Sequence, residues 1–159
     1  MNHRLLPLAV VLIAQLAGAL AIAAEDIVIA DFEGMTYGTW IVEGTAFGTG
    51  PAHGALPGQM HVAGFAGKGL VNSFFEGDRS TGSLTSPEFK IERKYLQFLI
   101  GGGGWEGKTC INLLVDGKIV RTAGGPNTIA GGSEELSLSG WDLGDLAGRN
   151  ARQPIRALR

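Results

Sequence analysis

The chain has 159 residues, including 26 Gly, 6 Pro, 7 Phe, 3 Trp and 2 Tyr, with 45% apolar and 18% charged. That length suits one domain; the glycines lack the three-residue period of collagen and alternate with Val, Ile, Leu and Phe runs that a disordered chain would lack. A formal charge of −2 offers no basic field, so nucleic acid is not an expected partner.

Residues 1–4 carry one positive charge, 5–20 are almost purely apolar, and Ala21-Ile22-Ala23-Ala24 supplies small residues for cleavage. This is the pattern of a secretory signal peptide over 1–24, and it predicts a secreted or periplasmic protein. A stretch of about 20 apolar residues could also span a bilayer, but its extreme N-terminal position and A-x-A ending favour processing. Residues 25–159 would then form the mature chain, enough for one modest core.

Short β-rich runs follow at 27–32, 39–42, 69–75, 83–85, 95–100, 109–115, 118–122 and 135–138, with no long helical pattern between them. Asp116-Gly117 is the two-residue turn that a type I′ hairpin favours, because both positions need positive φ; it predicts that 109–115 and 118–122 pair antiparallel. Many short strands without interleaved helices predict an all-β fold, an antiparallel β-sandwich or jelly roll. The Gly- and Pro-rich stretch 44–67 reads as a long crossover between sheets.

Gly102-Gly103-Gly104-Trp105-Glu106-Gly107-Lys108-Thr109 satisfies the phosphate-loop pattern G-x-x-x-x-G-K-[ST]. A working phosphate loop starts a helix at its Lys. Here a strand and an Asp-Gly turn follow, so no nucleotide is expected and the segment reads as a strand connection. His53 and His61, eight apart in a loop, match no zinc spacing. No G-x-S-x-G run is present. Cys110, the only cysteine, has no partner for an intramolecular disulfide and reads as a small buried hydrophobe.

Asp31 and Glu33, two apart on the first expected strand, point to one face. They are the candidate oxygen ligands for a structural calcium at the sandwich edge, against ordinary loop hydrogen bonding; no other cofactor is expected. Trp105, Tyr37 and Trp40, with Asn72 as a polar neighbour, are the candidate carbohydrate-binding residues, since aromatic faces stack on sugar rings while polar groups bind hydroxyls. Trp105 is the best placed for exposure, in a glycine loop without apolar neighbours. Trp40 and Trp141 fit core or rim packing better.

Several runs resemble a known module. They are 27–34, Tyr37-Gly38-Thr39-Trp40, Gly44-Thr45-Ala46-Phe47-Gly48, Leu56-Pro57-Gly58-Gln59-Met60, 67–74, Thr81-Gly82-Ser83-Leu84-Thr85-Ser86-Pro87, 98–104, Gly107-Lys108-Thr109-Cys110, 112–118 and Gly132-Ser133-Glu134-Glu135. Together they resemble the N-terminal β-sandwich that precedes the catalytic domain in bacterial levanase-like enzymes of glycoside hydrolase family 32. The resemblance covers roughly 26–152 and implies a galactose-binding-like jelly roll, an accessory or sugar-binding module whose partners would be glycan, fructan foremost, and a glycosidase catalytic domain. The family's propeller motifs, Asn-Asp-Pro-Asn, Arg-Asp-Pro and Glu-Cys, are absent from this sequence, so catalysis is not expected. The expected organisation is therefore a signal peptide at 1–24, a sandwich module at 25–152 and an aberrant or truncated tail at 153–159. In that tail Gln153-Pro154-Ile155-Arg156-Ala157-Leu158-Arg159 replaces the family's closing strands, and Pro154 could not donate to a central ladder.

Overall fold

The computed structural model describes residues 24–158 apart from 106 and 130, so the expected signal segment lies, except for Ala24, outside the described residues. The fold is built on the hairpin of β6 (Thr109–Val115) and β7 (Lys118–Ala123). Asp116 and Gly117 take φ of 51° and 73°, the left-handed pair of a type I′ turn. Cys110, Ile111, Asn112, Leu113 and Val115 are all buried, as expected of a strand covered on both faces.

Against the other side of β6 lie β10 (Asn150–Arg152) and β11 (Pro154–Ala157), which together make one interrupted row. A parallel interruption separates β3 (Gly82–Thr85) from β4 (Phe89–Lys90), so that β3 pairs β11 and β4 pairs β10. The edge beyond β3 is β1 (Ile41–Gly44). The main sheet thus runs β1, then β3 with β4, then β11 with β10, then β6, then β7, antiparallel throughout.

Within the segment 153–159, expected as an aberrant or truncated tail, residues 154–157 form a strand. Through Ala157 the segment is a central strand, with Gln153, Pro154 and Ala157 buried. Pro154 is tolerated because its missing N–H falls at the interruption: pairing with β6 ends at Arg152–Leu114 and resumes at Ile155–Ile111. A proline at the first residue of a strand removes no ladder bond. The neighbouring backbone is held by Ser86, whose hydroxyl accepts the Gln153 N–H at 2.8 Å and whose own N–H donates to the Gln153 carbonyl at 3.2 Å.

A second layer forms from β5 (Tyr95–Ile100) paired antiparallel with β9 (Ser137–Asp142), and from β8 (Glu134–Glu135) paired parallel with β2 (Val62–Ala63). The single strand expected at 135–138 is broken at Leu136, whose N–H donates to the Ala63 carbonyl. The strands expected at 27–32 and 69–75 do not form; in the latter, Leu70 makes only an isolated bridge to Ala52. Phe32 sits at φ 57°, which turns the chain out of any strand.

Most of the buried apolar residues fall into two clusters. One joins Leu113, Val115 and Ala151 of the main sheet to Ile91, Leu143 and Leu146, with Leu96 and Trp141 of the second layer packed against it. The other gathers Leu84 and Ala157 with Tyr37, Ala46 and Phe47 from the loops. Between the layers a cleft of about 910 Å³ touches members of both clusters.

Candidate functional site

The four candidate sugar-binding residues do not form one site. Tyr37 is 5% exposed, and its hydroxyl donates to the Phe47 carbonyl at 2.9 Å. Burial pushes its pKa up to about 12. Trp40 is half-buried and meets Phe32 edge-on at 5.1 Å, while Phe32 meets Tyr37 at 6.1 Å. These rings support one another and the second cluster. Asn72 is buried in a reciprocal amide pair with Gln59: its Nδ2 donates to Gln59 Oε1 at 2.7 Å, and Gln59 Nε2 donates to its Oδ1 at 3.2 Å. That Oδ1 also accepts the Phe74 N–H. Its polar atoms hold loops together.

Trp105 is different: it is 54% exposed at the tip of the glycine connection between β5 and β6. The Lys108 and Thr109 N–H groups both donate to its carbonyl, and the Thr109 hydroxyl donates to the Gly103 carbonyl at 2.9 Å. Gly104 N–H donates to the Asn127 carbonyl at 2.8 Å, and Asn127 N–H donates to the Gly102 carbonyl at 3.0 Å. Gly125 has to be glycine for this contact, since a Cβ there would run into the Gly101 and Gly102 carbonyls. The loop is therefore pinned on both sides, and the indole lies with one edge against Gly103 while about half of the residue stays exposed. Thr109 begins β6, so no helix N-terminus stands where a phosphate would need one.

Asn127 also borders a shallow groove that includes Thr128, Ser133, Glu135 and Ser137. These hydroxyl, amide and carboxylate groups near the Trp105 loop had no signal in the sequence beyond an ordinary polar connection. The bonds from Asn127 to Gly102 and Gly104 bring one end of this groove to the glycine connection, while Asn127 Oδ1 and Ser133 Oγ also accept the Ile129 and Glu135 N–H groups. An exposed aromatic face with hydrogen-bonding groups close by is what sugar recognition requires.

The acidic pair has another use. Asp31 and Glu33 do not share a strand face, because no strand forms there. The Glu33 carboxylate accepts the N–H groups of Lys68, at 2.8 Å, and Gly69, at 3.0 Å, and these bonds hold its pKa below the usual carboxylate value. Asp31 Oδ1 accepts the Glu33 N–H at 3.1 Å. Both carboxylates cap backbone amides, and no group of three His, Cys, Asp or Glu side chains converges among the described residues. Cys110 is buried, with the Asn112 amide 3.5 Å from its sulfur.

No family model matches the chain, and no solved structure matches it. Over 130 residues it is 38% identical to the Aspergillus rugulosus protein named "Putative glycosyl hydrolase ecdE". The match takes in 80% of this chain and 18% of that protein, so the chain spans less than a fifth of its relative's length. A kinship with part of a glycosidase-type protein follows. No helix among the described residues is long and apolar enough to cross a membrane.

Proposed function

We propose that the chain is a non-catalytic accessory module of a secreted or periplasmic glycosidase of the levanase-like family 32 type, and that it binds glycan, fructan foremost, through Trp105. The observation that carries this reading is the match itself: 130 residues at 38% identity make up 18% of a protein with a glycosyl hydrolase name. A share that small is an accessory-sized part of such a protein. The half-exposed Trp105, on a loop bonded to Asn127, which borders a groove with Thr128 and Ser133, supports glycan contact. The propeller motifs missing from the sequence support the absence of catalysis, and the apolar segment at 5–20 supports export.

A second reading rests on the packing of Tyr37, Trp40 and Asn72, which are consumed by internal contacts. In it, the module has no sugar site and serves by packing against a catalytic domain. Pull-down on insoluble levan and inulin separates the two. Retention on the polysaccharide that falls at least tenfold in Trp105→Ala, with an unchanged melting temperature, is the expected result; equal retention of both proteins would remove Trp105 from the binding site, and retention of neither would leave the packing reading in place.

A further inference from the structure

The cleft between the layers has a second use, independent of the Trp105 loop. At about 910 Å³ it lies within the range of small-molecule sites and far above the water-sized voids of ordinary cores. Phe98 and Ile100 of β5 line it from one layer, and Ile111 of β6 and Ile155 of β11 line it from the other, with Phe47 and Val62 beside them. Walls of this kind hold bulk water poorly.

Two polar side chains on that lining are deeply buried, Asn72 and Gln153, and the Asn72 amide is already paired with Gln59. Gln153 is 7% exposed, and its backbone N–H and carbonyl are both taken by Ser86. Its side-chain amide makes no hydrogen bond among the described residues, although neither amide atom is sealed off. Buried amides are nearly always paired. This one is positioned to pair with a molecule inside the cleft.

Charged side chains of both signs also line the cleft, Glu33 and Glu134 among the acids and Lys90, Arg93 and Arg156 among the bases, so its lining favours neither sign of charge in an occupant. A neutral amide offers one donor face and one acceptor face, which suits a hydroxyl or a carbonyl. Residues 26–32 line the mouth; they belong to no strand, and Ile27 and Val28 are 50% and 73% exposed. That segment is tied down at its two ends, by the Arg93 guanidinium on the Glu25 carbonyl and by Glu33 on the Lys68 and Gly69 amides.

We infer that the inter-sheet cleft is a binding site for a neutral small molecule with a largely apolar body and one hydroxyl or carbonyl group, which pairs with the Gln153 amide. The test uses the full chain with the neutral fluorophore N-phenyl-1-naphthylamine and 1-decanol as its competitor. The expected result is saturable binding of one fluorophore, displaced by 1-decanol. Ile111→Phe and Ile155→Phe, which fill the cleft, weaken the fluorophore at least tenfold. Gln153→Leu leaves the fluorophore in place and weakens 1-decanol at least fivefold, while Trp105→Ala changes neither. Non-saturable binding, or fluorophore affinity unchanged in both Phe variants, overturns the site, and unchanged competition in Gln153→Leu overturns the hydrogen bond assigned to it. Should the Phe variants lose a cooperative melt, hydrogen exchange on the unaltered chain decides. Added protection at Ile100, Ile111 and Ile155 with 1-decanol supports the site, and protection elsewhere or none overturns it.

Discussion

Tyr37 and Trp105 are both large aromatics flanked by glycine, and they meet opposite fates. The Tyr37 ring is covered and its hydroxyl is spent on the Phe47 carbonyl, whereas Trp105 stays half-exposed on a pinned loop. Tyr37→Phe removes a buried hydrogen bond while keeping the ring, and is expected to lower stability by about 1–2 kcal/mol in a denaturant melt. Glu134 gives a prediction with a pH sign. Its carboxyl is held above the usual value, chiefly by burial and secondarily by Asp78, so the ionised form is disfavoured in the folded state. Stability from this group is complete below the unfolded-state pKa of about 4.3 and declines as pH rises through the higher folded value. Glu134→Gln is therefore expected to melt higher than the unaltered chain at pH 7–8 and to match it near pH 3.5. A melting temperature raised equally at both pH values would count against this account. Glu33 runs the other way, since its lowered pKa contributes stability above the unfolded value that is lost as pH falls.

Among the elements, the row of β10 and β11 decides whether there is a sheet at all. Ile155 sits between Leu84 and Ile111 in register, and Ala157 between Gly82 and Thr109, so β11 joins β3 to β6. Ending the chain at Arg152 would leave β6 unpaired on that side from Thr109 to Ile111 and uncover Leu84, which is fully buried. Loss of the cooperative thermal transition, followed by circular dichroism, is the expected outcome; a sharp melt within a few degrees of the full chain would refute the central placement. At the other extreme, all four residues of β1 are exposed, with Ile41 at 55%. It is an apolar edge strand, the kind of feature that invites pairing with another chain.

For the molecule as a whole, the division of the apolar interior into two clusters matters more than either cluster. Leu113 and Val115 serve one, Leu84 and Ala157 serve the other, and the cleft runs between. Interiors ordinarily close to crystal-like density, so an occupant that fills the gap adds contacts the empty fold lacks. Binding to the folded state alone raises stability by mass action, by about 2.7 kcal/mol at a hundredfold excess over Kd. 1-Decanol is accordingly expected to raise the melting temperature in a concentration-dependent way, and levan or inulin to do so only through Trp105. A melting temperature indifferent to 1-decanol would show that the folded state gains nothing from it.

What could be read from the chain alone was whatever short-range chemistry decides. Tyr95–Ile100 and Thr109–Val115 are strands as their β-branched and aromatic runs predict, and Asp116-Gly117 turns because those two residues tolerate positive φ. The exposure of Trp105 was legible for the same reason, from glycine neighbours that can cover only part of a large ring. The remainder was settled by partners far away in sequence. Residues 27–32 look like a strand, yet Glu33 reaches 35 residues on to Lys68 and Phe32 turns into the second cluster. Asn72 looks free to bind a ligand until Gln59 claims its amide. Pro154 looks like a strand breaker, but the ladder is interrupted where its N–H would have been needed. Hydrogen-bond demand is a local property of each residue, while the group that meets it is chosen by tertiary packing.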